Sequence, residues 1–174
     1  MIKIKCNEFF INSKINNLLA QKNLINDINS DEFYAIIKVE VKDNKLHLDC
    51  SGKKEHLSLP IDVNFFFSQI LRIIADIKIS KAEYDYFPYQ RLLLRNSKKS
   101  LLSDIQNTIF SNLIISKYGI NKDKLYGLIW KKDKDISINK LDTHLTNLKN
   151  QLKQDLGITA IFQSQDKILR LLIN

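Results

Sequence analysis

Residues 130–152 read WKKDKDISINKLDTHLTNLKNQL, and the fold turns on them. Leu141, Leu145, Leu148 and Leu152 recur at steps of four, three and four, so they share one face of a helix. The other face is left to Lys140, Thr143, His144, Asn147 and Gln151. Within the stretch no carboxylate follows Asp142, and the hydroxyl, imidazole, amide and ammonium groups suit a polyanion better than a protein partner. A recognition helix is expected, with the leucines in the core.

Working outward, Leu102-Ser103-Asp104-Ile105-Gln106 has the form of a capping box, in which the Ser103 oxygen takes a first-turn N–H while Gln106 reaches back. Ile105, Ile109 and Leu113, with Ile114 beside them, form the core stripe of that helix, and Tyr118-Gly119 is its expected end. Asn121 is placed to cap a second helix whose buried face is Leu125, Leu128 and Ile129, with Trp130 ending it. Lys131 to Ile136 is a charged loop, and Ser137 the cap of the recognition helix. Beyond Gly157, Ile158–Phe162 and Ile168–Leu172 flank Gln163–Lys167 as a two-stranded hairpin. Upstream, Tyr84–Tyr89 alternates aromatics as an edge strand interrupted by Pro88, Gln90–Arg95 is a second strand and Asn96–Ser100 a turn.

Trp130, the twelve-residue step to Asp142, and Leu141-Asp142-Thr143-His144-Leu145 followed by Leu148-Lys149 resemble the DNA-binding domain of OmpR/PhoB-type winged-helix response regulators. The opening phrase of that domain's first helix is similar to Leu102–Gln106, with Gln for the usual Glu. The resemblance covers residues 84–174. It implies an N-terminal antiparallel sheet, a helix-turn-helix and a C-terminal β-hairpin wing that bind double-stranded DNA as a transcriptional regulator. Base reading then falls on Thr143 and Asn147. Backbone contact falls on Trp130, His144, Thr146 and Lys149, with Lys131, Lys132, Lys134 and Lys140 around the loop and Lys167 and Arg170 at the wing. Asn147 is suited to pair with adenine and the Thr143 methyl to meet a thymine methyl. The chain departs from the pattern where Asn147 and Asn150 replace the usual Arg, and where Phe162–Asp166 replaces a Gly-rich wing. Losing guanidinium groups weakens phosphate and guanine contacts, so dimerisation and paired half-sites are expected to supply affinity.

Residues 1–80 read as a separate small α+β domain. Ile2–Lys5 alternates as a strand, and Asn12–Leu24 has helical spacing with Asn12 or Ser13 as cap. NDINSDE at 26–32 is a loop. Phe33–Lys42, turning at Asp43-Asn44 into Leu46, Leu48 and Cys50, is a hairpin, and Glu55–Leu59 a third strand. Asp62 caps an apolar helix with Phe66, Ile70, Ile73 or Ile74, and Ile77 inward. In the resembling family this place holds a phosphoacceptor receiver, with an acidic pair after its first strand. Here Cys6-Asn7-Glu8 stands there, and the unit is too short. A reduced or replaced receiver, serving dimerisation without aspartyl phosphorylation, is expected. Ile79–Glu83 reads as the linker.

The fold class is therefore α+β, with domains at 1–80 and 84–174. The net charge of +8 is uneven: residues 84–174 hold 15 Lys+Arg against 8 Asp and no Glu, whereas residues 1–83 hold 12 against 11. The basic half contains the proposed recognition helix, which favours a nucleic-acid partner. The N-terminal MIKIKCNEFF lacks the apolar run of a secretory leader, and with two cysteines a reduced cytoplasmic setting at the bacterial nucleoid is expected. The longest apolar run, Phe65–Ile79, is broken by Ser68, Gln69, Arg72, Asp76 and Lys78, so no membrane span is expected. His47, Cys50 and His56 are the metal-ligand candidates, but without a paired C-x-x-C or a fourth ligand in register neither metal nor cofactor is expected. With four glycines, no phosphate-cradling loop, no nucleophile elbow and no His–carboxylate constellation, an enzyme is not expected. The alternative is a winged-helix protein-interaction module that holds a partner such as an RNA polymerase subunit through its wing or Tyr84–Tyr89.

Overall fold

The computed structural model describes residues 2–21, 35–50, 52–81, 84–130 and 138–173. They form two compact units, Met1–Ile77 and Lys78–Asn174, and helices pack on sheets in both, an α+β protein with five helices and three sheets. No helix among the described residues is long and apolar enough to cross a membrane.

The first unit runs β1 (Ile2–Cys6), α1 (Phe9–Gln21), β2 (Ala35–Lys42), β3 (Lys45–Cys50), β4 (Lys53–Ser58) and α2 (Val63–Ala75). Its sheet has the order β1-β2-β3-β4, with β1 parallel to β2 and the other pairs antiparallel. A parallel pair needs a long crossover, which the chain between Cys6 and Ala35 provides. Asp43 and Asn44 both have φ near +55°, at 52° and 58°, the left-handed pair that a two-residue hairpin turn requires. Asp62 caps α2 by accepting from the Phe65 N–H at 2.9 Å. Phe66, Ile70, Ile73 and Ile74 then meet Ile37, Val39, Leu46 and Leu48 in a closed core.

Helix α1 begins at Phe9, earlier than the Asn12 or Ser13 cap that the sequence suggests. Asn7 explains the shift: its side chain accepts from the Val41 N–H at 3.0 Å and its own N–H donates to the Val39 carbonyl, tying the chain's exit from β1 to strand β2. Asn12 sits inside the helix, donating its backbone N–H to Glu8 at 3.0 Å. The expected end of this helix beyond Gln21, the 26–32 loop and Phe33-Tyr34 lie outside the described residues.

The second unit runs β5 (Ile79–Lys81), β6 (Tyr84–Phe87), β7 (Leu92–Arg95), β8 (Lys98–Leu101), α3 (Asp104–Ile115), β9 (Ile120–Asn121), α4 (Lys122–Ile129), α5 (Ile138–Leu156), β10 (Ala160–Gln165) and β11 (Ile168–Ile173). Strands β5 to β8 form an antiparallel sheet in chain order, and a second antiparallel sheet has the order β10-β11-β9. Ile79–Lys81, expected as linker, is instead the first strand of this unit, pairing with Tyr84–Tyr86. The Ser80 hydroxyl and the Lys78 ammonium hold the Asp85 carboxyl below its ordinary range. Strand β8 is also a correction, because Asn96–Ser100 was expected to be all turn. Only Asn96 and Ser97 turn, with φ of 46° and 66°. The inward residue of β8 is Ser100, so the strand lacks the apolar alternation that announces one.

The capping box of α3 forms in both directions, with Ser103 Oγ accepting from the Gln106 N–H and Gln106 Oε1 accepting from the Ser103 N–H. Ile109 and Leu113 are buried as the periodicity predicts, and Phe110 joins them against Tyr84 and Tyr86. Replacing Ser103 by Ala is expected to lower the stability of this unit by roughly 0.5–2 kcal/mol, as other lost caps do, read as a lower urea midpoint with an unchanged slope. An unchanged midpoint would show that the cap is dispensable.

Helix α3 ends at Ile115, three residues before Tyr118. Gly119 has φ of +87° and serves another purpose than capping. It carries the chain into β9, which pairs Ile120 with Leu169 and Asn121 with Ile168. A Cβ at Gly119 would stand 2.6 Å from both the Leu169 carbonyl oxygen and Arg170 Cγ. Only a residue without a side chain fits there.

Candidate nucleic-acid interface

Helix α5 is mounted by apolar burial along one side and by a polar clamp near its end. Leu141, Leu145, Leu148, Leu152 and Leu156 are all buried in the core of the second unit. At ~100° per residue they span less than a quarter of the circumference, which alone would leave the helix free to roll. Gln151 removes that freedom. Its Nε2 donates to Ser100 Oγ and to the Leu101 carbonyl, both at 2.9 Å, and its Oε1 accepts from Gln106 Nε2 at 2.8 Å. Ser100 Oγ donates in turn to Asp155 at 2.7 Å. The last carbonyls of the helix are capped by Arg95, whose Nη1 accommodates Leu156 and Gly157 oxygens at 3.3 and 3.0 Å.

The outward arc of α5 differs from the face assigned by sequence. Gln151 points into the clamp, and Lys140 and His144 are half-buried. The exposed residues are Asn139, Asp142, Thr143, Thr146, Asn147, Lys149, Asn150, Lys153 and Gln154. The reason is that α5 packs against the strand β8 side as well as against α3, so its buried sector is wider than a single leucine stripe. Asp142 is the one carboxylate among these exposed residues, and Lys122 Nζ lies 3.4 Å from it.

Both proposed base readers, Thr143 and Asn147, are on this arc. The Thr143 hydroxyl donates back to the Asn139 carbonyl at 2.9 Å, which leaves its methyl and oxygen lone pair for an outside group. The Asn147 amide has no hydrogen bond among the described residues. Of the expected backbone contacts, Thr146 is exposed with its hydroxyl on the Asp142 carbonyl, and Lys149 is exposed without an ion pair among the described residues.

Trp130 is built into the unit instead of standing free. Its ring packs 4.4 Å from Tyr126 and 5.8 Å from His144 between centroids, and Lys140 Nζ lies 4.9 Å from its centroid. These four residues brace the start of α5 against α4 through stacking and a cation–π contact. Lys167, at the tip of the β10–β11 hairpin, is ion-paired with Asp123 at 3.1 Å, and Arg170 Nε donates to the Tyr118 carbonyl at 3.0 Å. Lys131, Lys132, Lys134 and the Ser137 cap lie outside the described residues. Asn150 and Lys153, which helical periodicity already puts on the arc opposite the leucines, lie nearer its middle than Asn147 and were not among the expected contacts.

No protein-family model matches this chain, and no curated protein matches it.

Proposed function

We propose that Lys78–Asn174 is a winged helix-turn-helix module that binds double-stranded DNA, with α5 as its recognition helix and the β10–β11 hairpin as its wing, in a sequence-specific transcriptional regulator. The observation that carries the reading is the outward arc of α5. It is hydroxyl, amide and ammonium in character, its single carboxylate is paired with Lys122, and the helix behind it is fixed in rotation. Short polar groups on a rigid helix are what the ~12 Å major groove admits. The succession of antiparallel sheet, three helices and hairpin is that implied by the resemblance to OmpR/PhoB-type regulators. The regulator works without aspartyl phosphorylation in this reading, supported by a first unit whose sheet has one parallel pair where a doubly wound receiver sheet is parallel throughout. A second copy, joined through the first unit, supplies the second half-site, and no catalytic role is assigned.

Anisotropy of labelled duplexes at two salt concentrations tests this. Affinity is expected to fall several-fold as salt is doubled, since log K drops by ~0.9 per neutralised phosphate for each tenfold change in salt. Binding that ignores salt, or no binding to any duplex in a random pool, would refute it.

One observation favours a second reading, a protein-contact module without DNA readout. Phe87, Leu92 and Leu101 pair across three strands on the outward face of the β5–β8 sheet, and Leu101 and Tyr89 are 64% and 38% exposed. A subunit of RNA polymerase is the partner this reading assigns. Salt-insensitive capture of that partner, together with absent duplex binding, would decide for it.

A further inference from the structure

The sheet of the first unit has one face under its helices and one face turned outward. Ile37, Val39, Leu46 and Leu48 point into the core, so Lys38, Glu40, Lys42, Lys45, His47 and Asp49 belong to the other side. Strand register then sets Glu40 beside His47 and His47 beside His56. The two imidazoles meet with Nδ1 atoms 2.7 Å apart, ring centroids 4.6 Å apart and planes inclined at 72°. Two neutral rings in such contact share one N–H and one lone pair. An ion that accepts a lone pair from each ring satisfies both nitrogens at once.

We propose that His47 and His56 chelate a divalent late first-row transition-metal ion, Ni²⁺ or Cu²⁺, through their Nδ1 atoms. Metal–imidazole bonds of roughly 2.0–2.1 Å place two such nitrogens about 2.9 Å apart when they are cis in a square plane, and about 3.3 Å apart in a tetrahedron. The observed 2.7 Å is closer to the square-planar spacing, so the nitrogens separate by ~0.2 Å as both lone pairs turn from each other toward the ion. His56 is exposed on the edge strand β4, which gives an ion its way in. Nε2 of His47 is buried, which leaves Nδ1 as the nitrogen offered to it. Glu40, next in the row, adds negative charge on the same face, while Lys38, Asp49 and Lys54 make up the row on one side and Lys42, Lys45 and Ser58 the row on the other. Among the described residues no group of three or more His, Cys, Asp or Glu side chains is placed to hold an ion, so the site is a two-ligand chelate whose other positions belong to water.

Calorimetric titration of the full chain with Ni²⁺ tests the assignment. Ni²⁺ is preferred to Cu²⁺ as the probe because the chain carries two cysteine thiols, Cys6 and Cys50, and thiols reduce Cu²⁺. One ion per chain is expected, with at least a tenfold loss of affinity in His47→Ala and in His56→Ala, and with changes in the amide signals that are largest at residues 47 and 56. His56→Gln keeps an exposed polar side chain at the sheet edge and is expected to show the same loss with an unchanged circular-dichroism spectrum. The third histidine, His144, remains in every variant and reports any diffuse uptake. Equal Ni²⁺ affinity in the wild type and the variants, or no uptake by the wild type, would overturn the proposal.

Discussion

Gly119→Ala is expected to destabilise the second unit by roughly 2–5 kcal/mol, combining the cost of a left-handed Ala with that of overpacking against fixed backbone. The position has φ of +87°, and of the two atoms that a Cβ meets at 2.6 Å one is the Leu169 carbonyl oxygen, which is held in the β9–β11 pairing and cannot swing aside. A domain of this size has only ~5–15 kcal/mol in total, so the loss is a large share. Trp130 is the chain's single tryptophan and lies in this unit, and its fluorescence reports the unfolding directly. Gly52→Ala, in the first unit and therefore read by circular dichroism, is the control, since Gly52 also has positive φ, at 86°, but a Cβ there meets nothing within 4 Å. Equal, small effects at both positions would show that β11 yields to the added methyl and that its approach to Gly119 is loose.

The second large effect concerns recognition, and it separates two kinds of contact. Asn147→Ala is expected to relax discrimination at one base pair by ~1–3 kcal/mol, the range of a bidentate side-chain contact, equivalent to about 5–150-fold. Lys149→Ala is expected to weaken all duplexes alike and to lower the salt slope by about one unit. The two residues stand near opposite margins of the exposed arc of α5 and neither supports the core, so both variants keep their fold. Binding-site selection from random duplexes with each variant reads both effects together. Identical, sequence-blind losses for the two would remove Asn147 from base reading and point to Asn150, nearer the centre of the arc, as the reader.

Where a residue's own chemistry dictates its local geometry, the fold was legible in the sequence. Asp62 and Asn121 cap helices, Ser103 and Gln106 form their reciprocal pair, and Asp43-Asn44 turns the hairpin. The leucine spacing of α5 found its buried side for the same reason. The features that no local pattern announces depend on distant partners. Alternation in Ile2–Lys5 marks a strand but carries no sign of its parallel neighbour. Ser100 hides β8, because its burial makes sense only beside Gln151 and Asp155, more than 50 positions later in the chain. Gly119 looks like a helix stop until β11 is laid against it. His47 and His56 fail every linear metal-ligand spacing, yet a hairpin register joins them. Within the candidate interface, the exposure of Thr143 and Asn147 was legible from periodicity and Thr146 and Lys149 entered through the resemblance, while the inward turn of Gln151 and the stacking of Trp130 with His144 required the tertiary structure.

The Ser100–Gln151–Gln106–Asp155 clamp has a bearing on how the proposed recognition helix would change its target over time. Leucines tolerate a small roll of the rod on which they sit, but an amide holding a hydroxyl, a carbonyl and a second amide accepts one phase only. The mount is thereby insulated from the outer arc. In the proposed DNA-binding reading, Thr143, Thr146, Asn147 and Asn150 are free to vary one at a time, which would retune the preferred operator while the angle of presentation stays constant.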